Sequence, residues 1–181
     1  DIAVFTNLTQ DHLDYHQNME SYFNAKKKLF AGLPADKMAL INIDCPYGRK
    51  LIGATAAKVV TYGIENKAAQ WRAADIQLSL QGTTFTLQGQ LFTVPLVGHF
   101  NVYNQIAAIA IAHQRGFSLA DLAERLKRFP GVPGRLERIV TKTKTTNVFI
   151  DHAHTPDALA NVLQTLRKLT AGRLLLVFGC G

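Results

Sequence analysis

Between residues 11 and 16 the chain reads DHLDYH, two aspartates and two histidines within six positions. In a helix Asp11 and Asp14 share a face at i,i+3, and His12 and His16 share one at i,i+4, a pattern that can hold a divalent cation. The same residue types gather at helix N-termini, where carboxylates accept free N–H groups, so both readings stay open. Lys26 sits in the run Lys26-Lys27-Lys28, where composition alone makes it a solvated cation on a helix. In GHFNVYNQIAA (98–108), Asn101 and Asn104 stand at i,i+3 where a helix begins. Capping explains one of them, and a pair of amides can also read a nucleobase edge. Arg135 closes FPGVPGR (129–135), from which a guanidinium can reach a phosphate between two domains or form a boundary ion pair. In IDHAHTPDAL (150–159), Asp151 ends a strand, and His152 and His154 follow in a loop, the end of an α/β strand at which ligands bind. The His-x-His pair lacks a third ligand at zinc spacing.

The elements that must position these residues alternate. IAVFT (2–6) reads as a buried strand, 19–30 as a helix, MALINI (38–43) as a second strand, 47–56 as a short helix and KVVTYG (58–63) as a third strand. AADIQLSL, TTFTLQ and QLFTVPL then alternate with period two, the last two joined as a hairpin at Gly-Gln. Residues 101–115 form a helix stopped by Gly116, and Ser118 caps the next. After the Pro/Gly-rich hinge come strands around ERIVTK and NVFID, a helix from Thr155-Pro156 and a strand RLLLVFG (173–179). The pattern is α/β with a mixed sheet, divided into 1–135 and 136–181. Because the second unit stops straight after a strand, the chain is expected to be a piece of a longer one.

Composition sets the outer limits. With 181 residues and 48% hydrophobic content, the chain has ample material for a packed core. No apolar run approaches the roughly 20 residues of a membrane span, and the start lacks the features of a signal peptide. The expected setting is the cytoplasm. Cys45 and Cys180 stand alone, as reduced thiols. A net charge of +7 suits nucleic acid or a phosphorylated small molecule, but basic and aromatic residues do not interleave as single-strand binding requires, so no nucleic acid is expected.

Taken together, TNLTQDHLDYH (6–16), YFNAKKKLF (22–30), GHFNVYNQIAA, PGRLERI (133–139), DHAHTPDAL and VFGCG (177–181) resemble the Mur ligase family, ATP-dependent amide-forming enzymes of peptidoglycan synthesis. The motifs fall in the family's order and cover nearly the whole chain. They are most similar to the branch that adds a diamino acid to UDP-N-acetylmuramoyl-L-alanyl-D-glutamate, although His152 stands where that branch usually has tyrosine. Folylpolyglutamate and cyanophycin-type ligases share a related pattern, and a non-catalytic nucleotide-binding module is the alternative of another class.

The resemblance implies a central ATPase domain whose mostly parallel sheet carries inserted antiparallel strands, followed by the start of a Rossmann-like C-terminal domain. The family's P-loop belongs before residue 1. The resemblance further implies ATP and Mg2+ as cofactors, with small molecules as partners and a monomeric enzyme. His12 corresponds to a magnesium ligand, and Lys26 to a lysine carbamylated by carbon dioxide, which exchanges an ammonium donor for an oxygen acceptor. Asn101 and Asn104 correspond to residues that contact adenine. Arg135 corresponds to the hinge arginine that reaches ATP, and Asp151 and His154 to residues that meet the ribose and phosphates on closure.

Overall fold

A computed structural model of the chain describes residues 1–9, 18–139 and 146–179. Six strands form one sheet in chain order: β1 (Ile2–Phe5), β2 (Met38–Asn42), β3 (Lys58–Gly63), β4 (Trp71–Ser79), β5 (Gly82–Leu87) and β6 (Gln90–Val94). The pairs from β1 to β4 are parallel and the two from β4 to β6 antiparallel. This is the expected mixed α/β architecture. β4 overlaps β3 only at Tyr62↔Trp71 and Gly63↔Arg72, so the antiparallel extension runs on past the carboxyl end of β3.

Handedness explains the layers. β1, β2 and β3 step across the sheet in one direction, and right-handed crossovers then place both connecting helices, α1 (Met19–Ala31) and α2 (Pro46–Ile52), on the same face. Phe23, Phe30 and Leu51 from these helices pack there with Ala3, Phe5, Ala39 and Ile41. The opposite face belongs to α3 (His99–Gln114) and α4 (Leu119–Leu126), whose Val102, Ile106, Ile109 and Leu122 meet Leu40, Val60, Tyr62, Phe85 and Phe92. β2, between the two layers, is buried at every position, which is why MALI reads as an unbroken apolar run before the buried Asn42.

Three differences from the sequence expectation have physical reasons. The β5–β6 turn is Gln88-Gly89 rather than Gly-Gln, with φ of 51° and 76°, because the type I′ turn that matches strand twist takes positive φ at both positions and glycine serves well at the second. α2 ends at Ile52, where Gly53 forms the C-cap, short of residue 56. β7 (Glu137–Ile139) and β8 (Val148–Ile150) pair with each other in an antiparallel ladder, and helix α5 (Pro156–Leu169) follows. The expected strand at 173–179 is not formed: no described strand offers it a ladder, and Leu175 and Val177 are 74% and 100% exposed.

Candidate functional site

The carboxyl ends of β1, β2 and β3 converge on one polar network. Asn42, buried at the last position of β2, donates from Nδ2 to the Thr6 carbonyl at 2.8 Å, and its Oδ1 accepts the Asp44 amide at 3.0 Å. Arg49 donates to the Ile43 carbonyl at 2.6 Å and to that of Asp44 at 3.2 Å. The Asp44 carboxylate in turn accepts the amides of Ile64, Glu65 and Asn66 at 2.6, 3.0 and 2.7 Å, and the Tyr103 hydroxyl of α3 at 2.8 Å. Thr6 leads into the segment carrying DHLDYH, so the network joins the start of that segment to α3.

Burial pushes the Asp44 carboxyl up, but the three amides and the Tyr103 hydroxyl outweigh it and hold the group below the usual carboxylate range. A depressed folded value means that the unfolded chain takes up the proton first. The stability carried by this carboxylate is therefore complete above about pH 4 and lost as pH falls through the lowered value. Asp44→Asn is expected to lower the urea unfolding midpoint at pH 7, with the gap from the unsubstituted protein narrowing at pH 3. An equal gap at both pH values would refute the assignment. Burial, then the bond to Asp44, drives Tyr103 the other way, far above the ordinary tyrosine value, so its hydroxyl stays a donor.

Lys26 lies on α1, half-buried, with Nζ 4.8 Å from the centroid of the Tyr22 ring. It therefore points along the helix face, back over the preceding turn, rather than straight into solvent. His12, with Asp11, Asp14 and His16, lies outside the described residues. Among the described residues no group of three His, Cys, Asp or Glu side chains gathers as a metal site.

A second cluster forms where the hinge meets the C-terminal segment. Leu136, buried and with φ of 45°, donates its amide to Asp151 Oδ2 at 2.7 Å, while Asp151 Oδ1 accepts the Ala153 amide at 2.8 Å. The His152 amide donates to the Gly134 carbonyl at 2.8 Å, and Glu137 accepts the Gly134 amide at 2.9 Å. These bonds hold a strained, non-glycine left-handed residue beside Arg135. His154 Nδ1 lies 3.0 Å from the His152 carbonyl, and the two rings meet edge-on with centroids 5.4 Å apart. The residues on either side of Arg135 are thus tied to Asp151 and His152, and Arg135 itself is exposed on a cleft of about 240 Å³ also lined by Leu96, Val97, Pro130 and Glu137.

The two asparagines part company. Asn101 is buried and donates from Nδ2 to the Val97 carbonyl at 2.9 Å, a local tie at the helix start, whereas Asn104 is exposed. Val97 packs with Leu136 and Leu166, so the α3 start and the hinge share one apolar cluster. Sequence reading missed Asp44, Asn42 and Tyr103. Two polar residues, Asn42 and Asp44, at the end of an otherwise apolar strand are a usable signal, since α/β sheets bind ligands at those strand ends.

A mostly parallel α/β sheet with a polar network at the carboxyl ends of its strands belongs to the class of folds that bind ligands at that edge. The chain belongs to the Mur ligase family: residues 1–112 match the Mur ligase middle domain, and residues 134–181 match the Mur ligase, glutamate ligase domain. It is 46% identical over 188 residues to the UDP-N-acetylmuramoyl-L-alanyl-D-glutamate–2,6-diaminopimelate ligase of Chlamydia pneumoniae, covering 100% of this chain and 38% of that protein. The ligase of the same name from Bacillus licheniformis is 46% identical over 191 residues, covering 100% and 39%. A solved structure of a ligase of this name superposes with a TM-score of 0.77 at 40% identity over 100% of this chain and 38% of its own. The chain therefore spans about 38% of the length of the relatives it matches. No helix among the described residues is long and apolar enough to cross a membrane.

Proposed function

We propose that this chain is the nucleotide-holding and closing part of an ATP-dependent ligase that joins diaminopimelate to UDP-N-acetylmuramoyl-L-alanyl-D-glutamate in peptidoglycan synthesis. The observation that carries this reading is 46% identity across the whole chain to ligases of that name, both the sheet and the hinge included. The division at the hinge, with 1–135 central and 136–181 C-terminal, is part of the same reading, as is a cytoplasmic monomer acting on small molecules alone.

The proposed reaction moves the γ-phosphoryl of ATP onto the substrate carboxylate, after which the incoming amine displaces phosphate. Two anions must be brought together in a site closed to water, so the side chains that matter are those that bind, neutralise and close. The described donors fit a nucleotide. Asn104 offers an exposed amide for a purine edge and Arg135 an exposed guanidinium for phosphate, and Asp151 and His154, each bonded within the loop after β8, are the proposed contacts to ribose and phosphate. Asn101, with its amide on Val97, supports the helix start and is the weaker base contact of the pair.

For magnesium, an ammonium on Lys26 would repel the ion, so Lys26 fits only as its carbamate, an oxygen acceptor, with His12 as a further ligand. The ion's chemistry is neutralisation of phosphate charge. The test of the whole reading is phosphate release by the intact protein, expected only when ATP, the UDP-muramoyl dipeptide and diaminopimelate are all present. Release that ignores the dipeptide would overturn it.

A further inference from the structure

The Asp44 network does more than hold a loop. We propose that Tyr103 and Asp44 form a positioning pair that sets the nucleotide-facing edge of α3 against the strand end leading into the His12 segment. This rests on the reading of Asn104 as a nucleotide contact.

α3 starts without a conventional anchor. Its N-cap is Gly98, with φ of 103° and no side-chain cap bond, and a Cβ there would meet the Phe100 ring at 2.8 Å, so a capping serine or aspartate has no room. The helix start must be fixed by side chains farther along. Asn101 ties back to Val97, a local bond whose only link to the rest of the molecule is the apolar packing of Val97 on Leu136 and Leu166. Tyr103 makes the long-range tie, 59 residues in sequence from Asp44, and it immediately precedes the exposed Asn104.

The acceptor is immobile. Three backbone amides from the β3–β4 loop fix the Asp44 carboxylate, and a Cβ built at Gly63 would lie 2.9 Å from both of its oxygens, which shows how closely the backbone is packed against it. Three amides suffice to organise that loop, and the fourth bond, to Tyr103, is the one that reaches the helix. On the other side Asn42 joins the Asp44 amide to the Thr6 carbonyl. A continuous path therefore runs from the end of β1 through Asn42 and Asp44 to α3. Loss of the Tyr103 hydroxyl frees the helix start to rock while leaving the ring packed against the sheet core.

The test is Tyr103→Phe in the intact protein, read by the equilibrium dissociation constant for ATP and by steady-state kinetics. The expected result is an ATP Kd and KM weakened about three- to tenfold, with kcat within about twofold and the KM for the UDP-muramoyl dipeptide unchanged. In an Asp44→Ala background the same substitution should add nothing further, because no side-chain acceptor remains for the Tyr103 hydroxyl. An unchanged ATP Kd overturns the pair. So does a fall in kcat with every KM unchanged, the signature of a merely structural residue that lowers the amount of folded enzyme. Failure of the underlying reading shows separately, in an unsubstituted protein that binds ATP but releases no phosphate with all three substrates.

Discussion

Lys26→Ala in the intact protein is expected to cut phosphate release and product formation by about 10²–10³-fold or more, the range seen when one charge-stabilising group is removed from a transition state. Stability should hardly move. The site is on a helix where alanine is the better former, and the described loss is one exposed-side cation–π contact with Tyr22, about 0.5–1 kcal/mol. Lys26→Arg separates the carbamate from a simple cation: arginine keeps the positive charge and the contact with Tyr22 but cannot become an oxygen acceptor, so it should be as inactive as alanine. A small carboxylate such as formate or acetate, added to Lys26→Ala, should restore part of the rate by supplying the missing oxygens in the vacated space. Full activity in the arginine variant would remove the carbamate from the proposal while leaving the family untouched.

What the residues disclose in advance follows from how locally each feature is determined. The alternating elements were legible because β2 is apolar up to Asn42 and α3 is an Ala/Ile-rich run with a glycine on either side, patterns fixed by burial. The loop chemistry around Asp151 was legible too: a strand end, Thr155 as N-cap and Pro156 at the first helical position are one local signal, and Thr155 does accept the Ala158 amide at 3.3 Å. The place of Asp44 at a strand end is a local signal, but its partners were not legible, because 64–66 and 103 are remote in sequence and nothing about an aspartate in NIDCP announces them. The bond of Asn101 to the Val97 carbonyl was hidden for the same reason: which way an amide at a helix start turns is decided by packing around Val97. The run at 173–179 has the composition of a strand, but composition cannot supply a neighbour to pair with.

The same logic of close approach gives the largest expected effect on stability. Gly48 is buried within α2, and a Cβ there would lie 1.9 Å from the Asn42 carbonyl oxygen and 3.1 Å from its carbon, with the Ile41 side chain at 3.3 Å. The two Asn42 atoms are backbone of β2, a strand paired on both sides, and cannot step aside as a side-chain tip would. Gly48→Ala should therefore force α2 off β2, despite the gain of about 0.8–1 kcal/mol that alanine brings to a helix. The expected net cost is about 3 kcal/mol or more, the upper part of the range for overpacking, read as a lowered urea midpoint. Because Asn42 holds Thr6 and the Asp44 amide, the folded remainder should also bind ATP more weakly. Gly53→Ala is the matched control: it ends the same helix with φ of −82° and nothing within 4 Å of the added Cβ, so it should be neutral or gain about 0.4–1 kcal/mol through the unfolded chain. If both variants melt alike, α2 does not sit on β2 as closely as described, and the route from β1 to α3 through Asn42 fails with it.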